Sequence, residues 1–131
     1  MIYKFERDAQ SGIILVYVML DDEYSFKMAL DTAASITTFD INALHVAGFP
    51  MGNMLETNLV ETSSGFMEVD VIQVDSIAAL GHTVRNVSVQ VYDFLSHGIL
   101  SDYEGLLGID FFENTTFCID MKNQTIEIKN N

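Results

Sequence analysis

Phe26-Lys27-Met28-Ala29-Leu30-Asp31-Thr32-Ala33-Ala34-Ser35 sets an apolar run of strand length directly before an aspartate and four small residues. An apolar strand brings its last residue to a sheet edge or barrel rim, and small residues after it let the chain turn tightly while leaving room for another group. The stretch therefore predicts a carboxylate carried on a strand-to-loop turn, with a second short apolar-polar run beginning at Ile36.

Reading outward, the chain looks mainly β. Period-two or continuous β-branched runs fall at 13–20, 25–30, 57–61, 67–80, 87–91, 116–120 and 125–128, bounded by turn formers such as Asp21-Asp22-Glu23 and Gly81-His82. Helical spacing predicts two short helices. One spans Phe39 to Ala47 with Asp40 as its cap, and the other spans Tyr103 to Phe112. Glu61-Thr62-Ser63-Ser64-Gly65-Phe66 joins two strand-forming runs through small polar residues and reads as a hairpin tip. The 131 residues contain one proline and no low-complexity run, so one domain over 1–131 is expected, large enough to hold its own core.

Asp31-Thr32-Ala33-Ala34-Ser35 resembles the Asp-Thr-Gly-Ala-Ser signature of the retropepsin-like (retroviral-type) aspartic proteases, with Ala33 in place of the glycine. Glu104-Gly105-Leu106-Leu107-Gly108-Ile109-Asp110 is similar to that family's segment of two hydrophobic residues and a glycine, which opens a helix under the active-site loop. The order of elements also matches, over roughly residues 11–129: strand, Asp-Thr loop, hairpin, long β run, Leu-Leu-Gly segment and closing strands. The resemblance is closer to single-domain cellular or bacterial members, because Ser35 and Ile109 stand where viral enzymes carry a charged pair.

The resemblance implies an all-β closed barrel with two short helices, one domain per chain, acting as an aspartic endopeptidase. It implies Asp31 as the catalytic carboxyl. Thr32 would lock the loop through its hydroxyl, and Ala33, Ala34 and Ser35 would form the active-site loop, with Ala33 and Ser35 meeting substrate. Thr62, Ser63, Ser64, Gly65 and Phe66 would form a flap over an extended peptide, bound main chain to main chain with apolar pockets for its side chains. No metal or cofactor is implied.

Hydrolysis of this kind uses two carboxyls about 3 Å apart that share one proton, one activating water while the other protonates the carbonyl oxygen. The chain has one Asp-Thr motif. Asp110 follows Leu-Leu-Gly rather than preceding a small-residue loop, and reads as a helix N-terminal or capping residue. The second carboxyl is therefore expected from another copy, across a homodimer axis.

Nineteen acidic residues against six basic ones give a formal charge of −13, without the Lys/Arg cluster that a phosphate backbone needs. Nucleic acid is excluded as a partner, and two copies should associate more strongly as salt rises. The longest apolar run, Ile13 to Leu20, is too short to span a bilayer as a helix, so no membrane partner is expected. The N-terminus lacks the basic-then-apolar pattern of an export signal, which leads to a cytoplasmic expectation. Cys118 is expected in the core. His45, His82 and His97 lack metal-ligand spacing.

Ala33 lacks glycine's backbone freedom, so it either holds ordinary φ and ψ or strains the loop beside the catalytic group. That departure motivates a second reading, a dimerisation or peptide-binding module that keeps the fold with catalysis impaired.

Overall fold

The computed structural model describes residues 1–51, 54–62, 65–99 and 102–130. Six strands close into a barrel. Strands β3 (Ile14–Leu20), β4 (Tyr24–Leu30), β9 (Gly105–Leu107), β5 (Thr38–Asp40), β8 (His82–Tyr92) and β7 (Gly65–Ala79) pair in that order. Pairing of Met19 with Ala78 and Leu20 with Ile77 returns β7 to β3 and completes the ring. Two further strands extend it, β2 (Glu6–Arg7) beside β3 and β6 (Met54–Thr62) beside β7.

Alternation in the sequence decides which faces line the interior. On β3, Val16, Val18 and Leu20 are buried while Tyr17 and Met19 point out. Phe26 and Met28 of β4, Phe39 of β5, Ile72 and Val74 of β7, Val89 and Val91 of β8, and Leu107 of β9 fill the same core. Phe26 and Phe39 meet edge to face with ring centroids 5.5 Å apart. A separate three-stranded sheet sets β11 (Thr125–Asn130) between β1 (Ile2–Lys4) and β10 (Thr115–Asp120), and its Ile126 is fully buried in the same core.

All seven strand expectations correspond to strands of the structure. The helix expected from Phe39 begins at Ile41 and ends at Ala47 (α1); Phe39 belongs to β5, and Asp40 is the cap, accepting from the Asn42 N–H. Gly48 ends α1 at φ 81°, the left-handed geometry that glycine supplies.

The second expected helix, Tyr103 to Phe112, is corrected. It divides into strand β9 and a 3-10 turn at Ile109–Phe112. A short apolar run has no period that separates a helix from a fully buried strand, and here two neighbouring backbones decide. β9 lies parallel to β4 and antiparallel to β5, with Leu106 opposite both Ala29 and Thr38. A Cβ on Gly105 would sit 2.5 Å from the Thr38 carbonyl oxygen, so the close approach of β5 requires glycine there.

Cys118 is also corrected, being exposed. β10 turns Phe117 and Ile119 towards the core, and the intervening cysteine faces out by the same alternation. Among the described residues, no helix is long and apolar enough to cross a membrane.

The hairpin expected at 61–66 is formed by β6 and β7, which run antiparallel with Thr62 opposite Gly65. Ser63 and Ser64 lie outside the described residues.

Candidate active site

Asp31 directly follows β4, where parallel pairing with β9 fixes its backbone. Leu30 lies opposite Leu107, and the Asp31 N–H donates to the Leu107 carbonyl at 3.0 Å. The chain then turns on the aspartate itself. The Ala33 N–H donates to Asp31 Oδ1 at 2.9 Å, and the Ala34 N–H donates to the Asp31 carbonyl at 3.1 Å. Oδ2 has no hydrogen-bond partner among the described residues, so the half-buried carboxyl is oriented by one oxygen and keeps the other open.

The loop lies on the surface. Thr32, Ala33, Ser35 and Ile36 are exposed and Ala34 is half-buried. Positive φ angles at non-glycine residues occur at Asp21, Asp22, Leu80, Asn86, Asn114 and Gln124, none of them in this loop. Ala33 therefore occupies backbone that any residue adopts, and the alternative of a strained loop is removed.

Beneath the loop lies a group of contacts that the motif did not reveal. The Ile109 N–H donates to the Ala34 carbonyl at 2.9 Å, tying the loop to the 3-10 turn. Thr37, fully buried, donates its N–H to both Asp110 carboxylate oxygens at 3.0 Å and its hydroxyl to Asp110 Oδ1 at 2.8 Å. The same hydroxyl accepts from the Gly108 N–H at 3.1 Å. Asp110 also accepts from the Phe111 N–H at 3.0 Å and sits in the first turn of the 3-10 segment, whose N-cap is Gly108, so it is a helix N-terminal residue and not the cap, and its longer reach to Thr37 was missed. Its position after Leu-Leu-Gly was the available signal, but nothing in the spacing pointed to Thr37.

Gly108 is where the two segments touch. A Cβ there would meet the Ala34 carbonyl oxygen at 2.7 Å and Asp110 Oδ1 at 3.0 Å. Its φ of −87° is ordinary, so the requirement is space, not conformation.

The site carries a local negative field. Tyr92 holds its phenol proton more tightly than usual, first because it is partly buried, then through the charges of Tyr103, Asp31 and Asp40. Asp31 thus lies within electrostatic reach of the end of β8.

The structure brings Asp31, Thr32, Ala33, Ala34 and Ser35 together in one loop on the Gly108–Asp110 segment. Thr62, Gly65 and Phe66 belong to the separate β6–β7 hairpin, and Phe66 is 73% exposed. His82 packs edge to face on Phe111 at 5.1 Å. Among the described residues, no group of three or more His, Cys, Asp and Glu side chains is placed to hold a metal.

The geometry has counterparts among known proteins. The family model described as "Aspartyl protease" matches residues 16–111, a span that holds both the Asp31 loop and the Thr37–Asp110 pair. No curated protein matches the chain. A crystal structure of a retropepsin-like aspartic protease from Rickettsia conorii superposes with a TM-score of 0.70 at 21% identity, covering 98% of this chain and 91% of that one. The EIAV protease, in an inhibitor complex, superposes with a TM-score of 0.61 at 15% identity over 82% of this chain and 92% of that one. At those identities the superpositions establish the fold, and with the matched family model they carry the conclusion that the chain belongs to the aspartyl protease family as a retropepsin-like member.

Proposed function

We propose that the protein is an aspartic endopeptidase assembled from two copies of the chain, each contributing Asp31. The observation that carries this reading is the Asp31 turn itself. One carboxylate oxygen is held by the Ala33 N–H, the other is open, and the backbone on both sides is pinned to β9 and the 3-10 turn. A carboxyl presented in this way on a surface loop of small residues can approach its symmetry mate closely.

In the dimer the two carboxyls share one proton, because ionising both side by side is prohibitive. The ionised carboxylate takes a proton from water, and the water oxygen bonds to the scissile carbonyl carbon. The protonated carboxyl gives its proton to the carbonyl oxygen. The resulting gem-diol collapses as one carboxyl passes its proton to the amide nitrogen and the other, ionised carboxylate takes a proton from a gem-diol hydroxyl, breaking the C–N bond, releasing acid and amine and leaving the dyad with its single proton. Thr32, exposed in the single chain, bonds the partner loop and keeps the two carboxyls in register. The tip of the β6–β7 hairpin, Thr62 to Phe66, folds over the peptide as a flap; exposure of Phe66 supports a role in contact with something beyond its own chain.

Peptide-library cleavage at mildly acidic pH tests this reading, with a pepstatin-type inhibitor as control. Asp31→Asn should lower the rate by at least about a hundredfold, the usual contribution of a general acid-base group. It should leave thermal stability nearly unchanged, since the asparagine oxygen still accepts from the Ala33 N–H. Cleavage by that variant at the parent rate would remove Asp31 from the chemistry. Sedimentation should show a dimer that strengthens with added salt, as a chain of charge −13 requires.

A further inference from the structure

A cavity of about 670 Å³ opens between the turn joining β2 to β3, the start of α1, and residues 94–99 and 102–103, which lie between β8 and β9. Phe94, Leu95 and Tyr103 form an apolar wall, on which the Phe94 and Tyr103 rings meet edge to face at 6.3 Å. Three carboxylates line the same space, from Asp8, Asp40 and Asp102. A long aliphatic stem ending in a positive charge satisfies both parts of this lining: the stem covers the rings and the head reaches the carboxylates.

The cavity lies towards the Asp31 end of β4, and its lining does not include Asp31 itself. Leu15 lies opposite Ala29 in the β3–β4 register, which carries Ile13, two residues upstream, to the level of Asp31, two residues downstream. Ile13 lines the cavity. On the other side Tyr92, which senses the Asp31 charge, packs on Phe94 with ring centroids 4.8 Å apart.

We propose that this cavity receives the side chain of a lysine or arginine beside the bond to be cut, so that the substrates are cationic peptides. The inference rests on the endopeptidase reading and adds a substrate class to it. Asp8 is ionised and fixed, because the Ser11 and Gln10 N–H groups both donate to its Oδ1 at 2.8 and 2.9 Å, holding its carboxyl below the ordinary range. Asp40 gives Oδ1 to the Asn42 and Phe94 N–H groups, which leaves Oδ2 for a ligand. Asp102 is exposed at the rim. Two cations stand nearby: Lys27, which acts on Asp8 and is held over the Tyr17 ring at 5.9 Å, and Arg7, whose Nε donates to the Gly12 carbonyl in the β2–β3 turn at 3.0 Å, so the three carboxylates outnumber them. A chain of net charge −13 also draws cationic peptides from solution.

The test uses paired peptides that differ by lysine or the uncharged norleucine at each position flanking the scissile bond. Binding is measured by fluorescence anisotropy on the full-length Asp31→Asn chain, and cleavage on the parent. The lysine peptide should bind about tenfold more tightly at one position, as a few partly exposed charge pairs allow, with the preference shrinking in high salt. Asp102→Asn, and separately Asp8→Asn, should each reduce that ratio about threefold, in line with the loss of one such pair. A ratio near one at every position, or a ratio unmoved by both substitutions, overturns the inference. Cleavage without lysine preference does so while leaving the endopeptidase reading intact. Lysine-selective binding without cleavage by the parent upholds the cavity assignment and refutes the endopeptidase.

Discussion

Thr37 and Asp110, 73 residues apart in sequence, form the brace beneath the candidate catalytic loop: the Thr37 N–H and hydroxyl both end on the Asp110 carboxylate, and the hydroxyl in turn accepts from the Gly108 N–H. Four residues before Thr37 lies Ala33, and two residues before Asp110 lies Gly108. The pair therefore couples the loop that carries Asp31 to the 3-10 turn that underlies it.

Removing the hydroxyl tests this brace. Thr37→Val keeps the shape, but the fully buried position then leaves the Gly108 N–H without its acceptor and Asp110 with one donor fewer. A loss of about 2 kcal/mol in urea unfolding is expected, the usual penalty for orphaned buried polar groups. Thr37→Ser restores most of it. Asp110→Asn sets an amide N–H₂ against donors and should cost a similar amount, with a coupling of about 1 kcal/mol in the double-mutant cycle. Additive losses would show that the two residues act independently.

Much of this could be read from the residues alone, and the gaps have physical causes. Alternation on β3 and β4 located the barrel core because one face of each strand meets the interior, and Asp40 announced α1 by its capping chemistry. β9 was hidden because its three residues carry no period. What makes them a strand is the pair of backbones on either side, brought close by Gly105. β5 was hidden because Phe39 and Asp40, two of its three residues, fall within the expected helix. The Asp31 loop was visible as a motif. Its support at Asp110 was not, since a side-chain bond spanning that distance in sequence leaves no local trace.

Gly108 should tolerate no side chain. Its missing Cβ would press on the Ala34 carbonyl oxygen and on backbone at Ile36, and neither is the free end of a flexible group. Gly108→Ala is expected to destabilise the fold by about 2 kcal/mol, as overpacking of a close contact does. Because the displaced atoms belong to the loop bearing Asp31, peptide cleavage should fall at least about tenfold at temperatures where the variant is still folded. Circular dichroism with a cleavage assay checks both parts. Full activity in a destabilised variant would separate loop position from stability.

Ala33 offers the opposite expectation. Its backbone is ordinary, so restoring the family's glycine relieves no strain and only adds freedom to the unfolded chain. Ala33→Gly should therefore lower stability by about 0.5–1 kcal/mol, with kcat/KM staying within about threefold of the parent. A large gain in turnover would mean that the Ala33 methyl group obstructs the substrate path, a fault of shape in place of one of backbone conformation.

Tyr92 should report the charge on Asp31 from a distance. Its phenol is neutral when protonated, and burial, followed by the charges of Tyr103, Asp31 and Asp40, keeps the proton on above the ordinary 10.0. The folded chain then holds a proton that the unfolded chain releases, so this residue's contribution to stability is intact below pH 10.0 and is lost as pH rises through the folded value. Asp31→Asn removes one of the charges and leaves the burial, so the Tyr92 phenolate should form at a lower pH than in the parent, still above 10.0. Ultraviolet titration of the parent and of Asp31→Asn, each with Tyr92→Phe subtracted, reads the shift directly. The Asp102→Asn chain serves as the control, because Asp102 is not among the charges that raise Tyr92. An unmoved Tyr92 in Asp31→Asn would show that the carboxyl and the end of β8 are not in electrostatic contact, and would detach the cavity wall at Phe94 from the Asp31 turn.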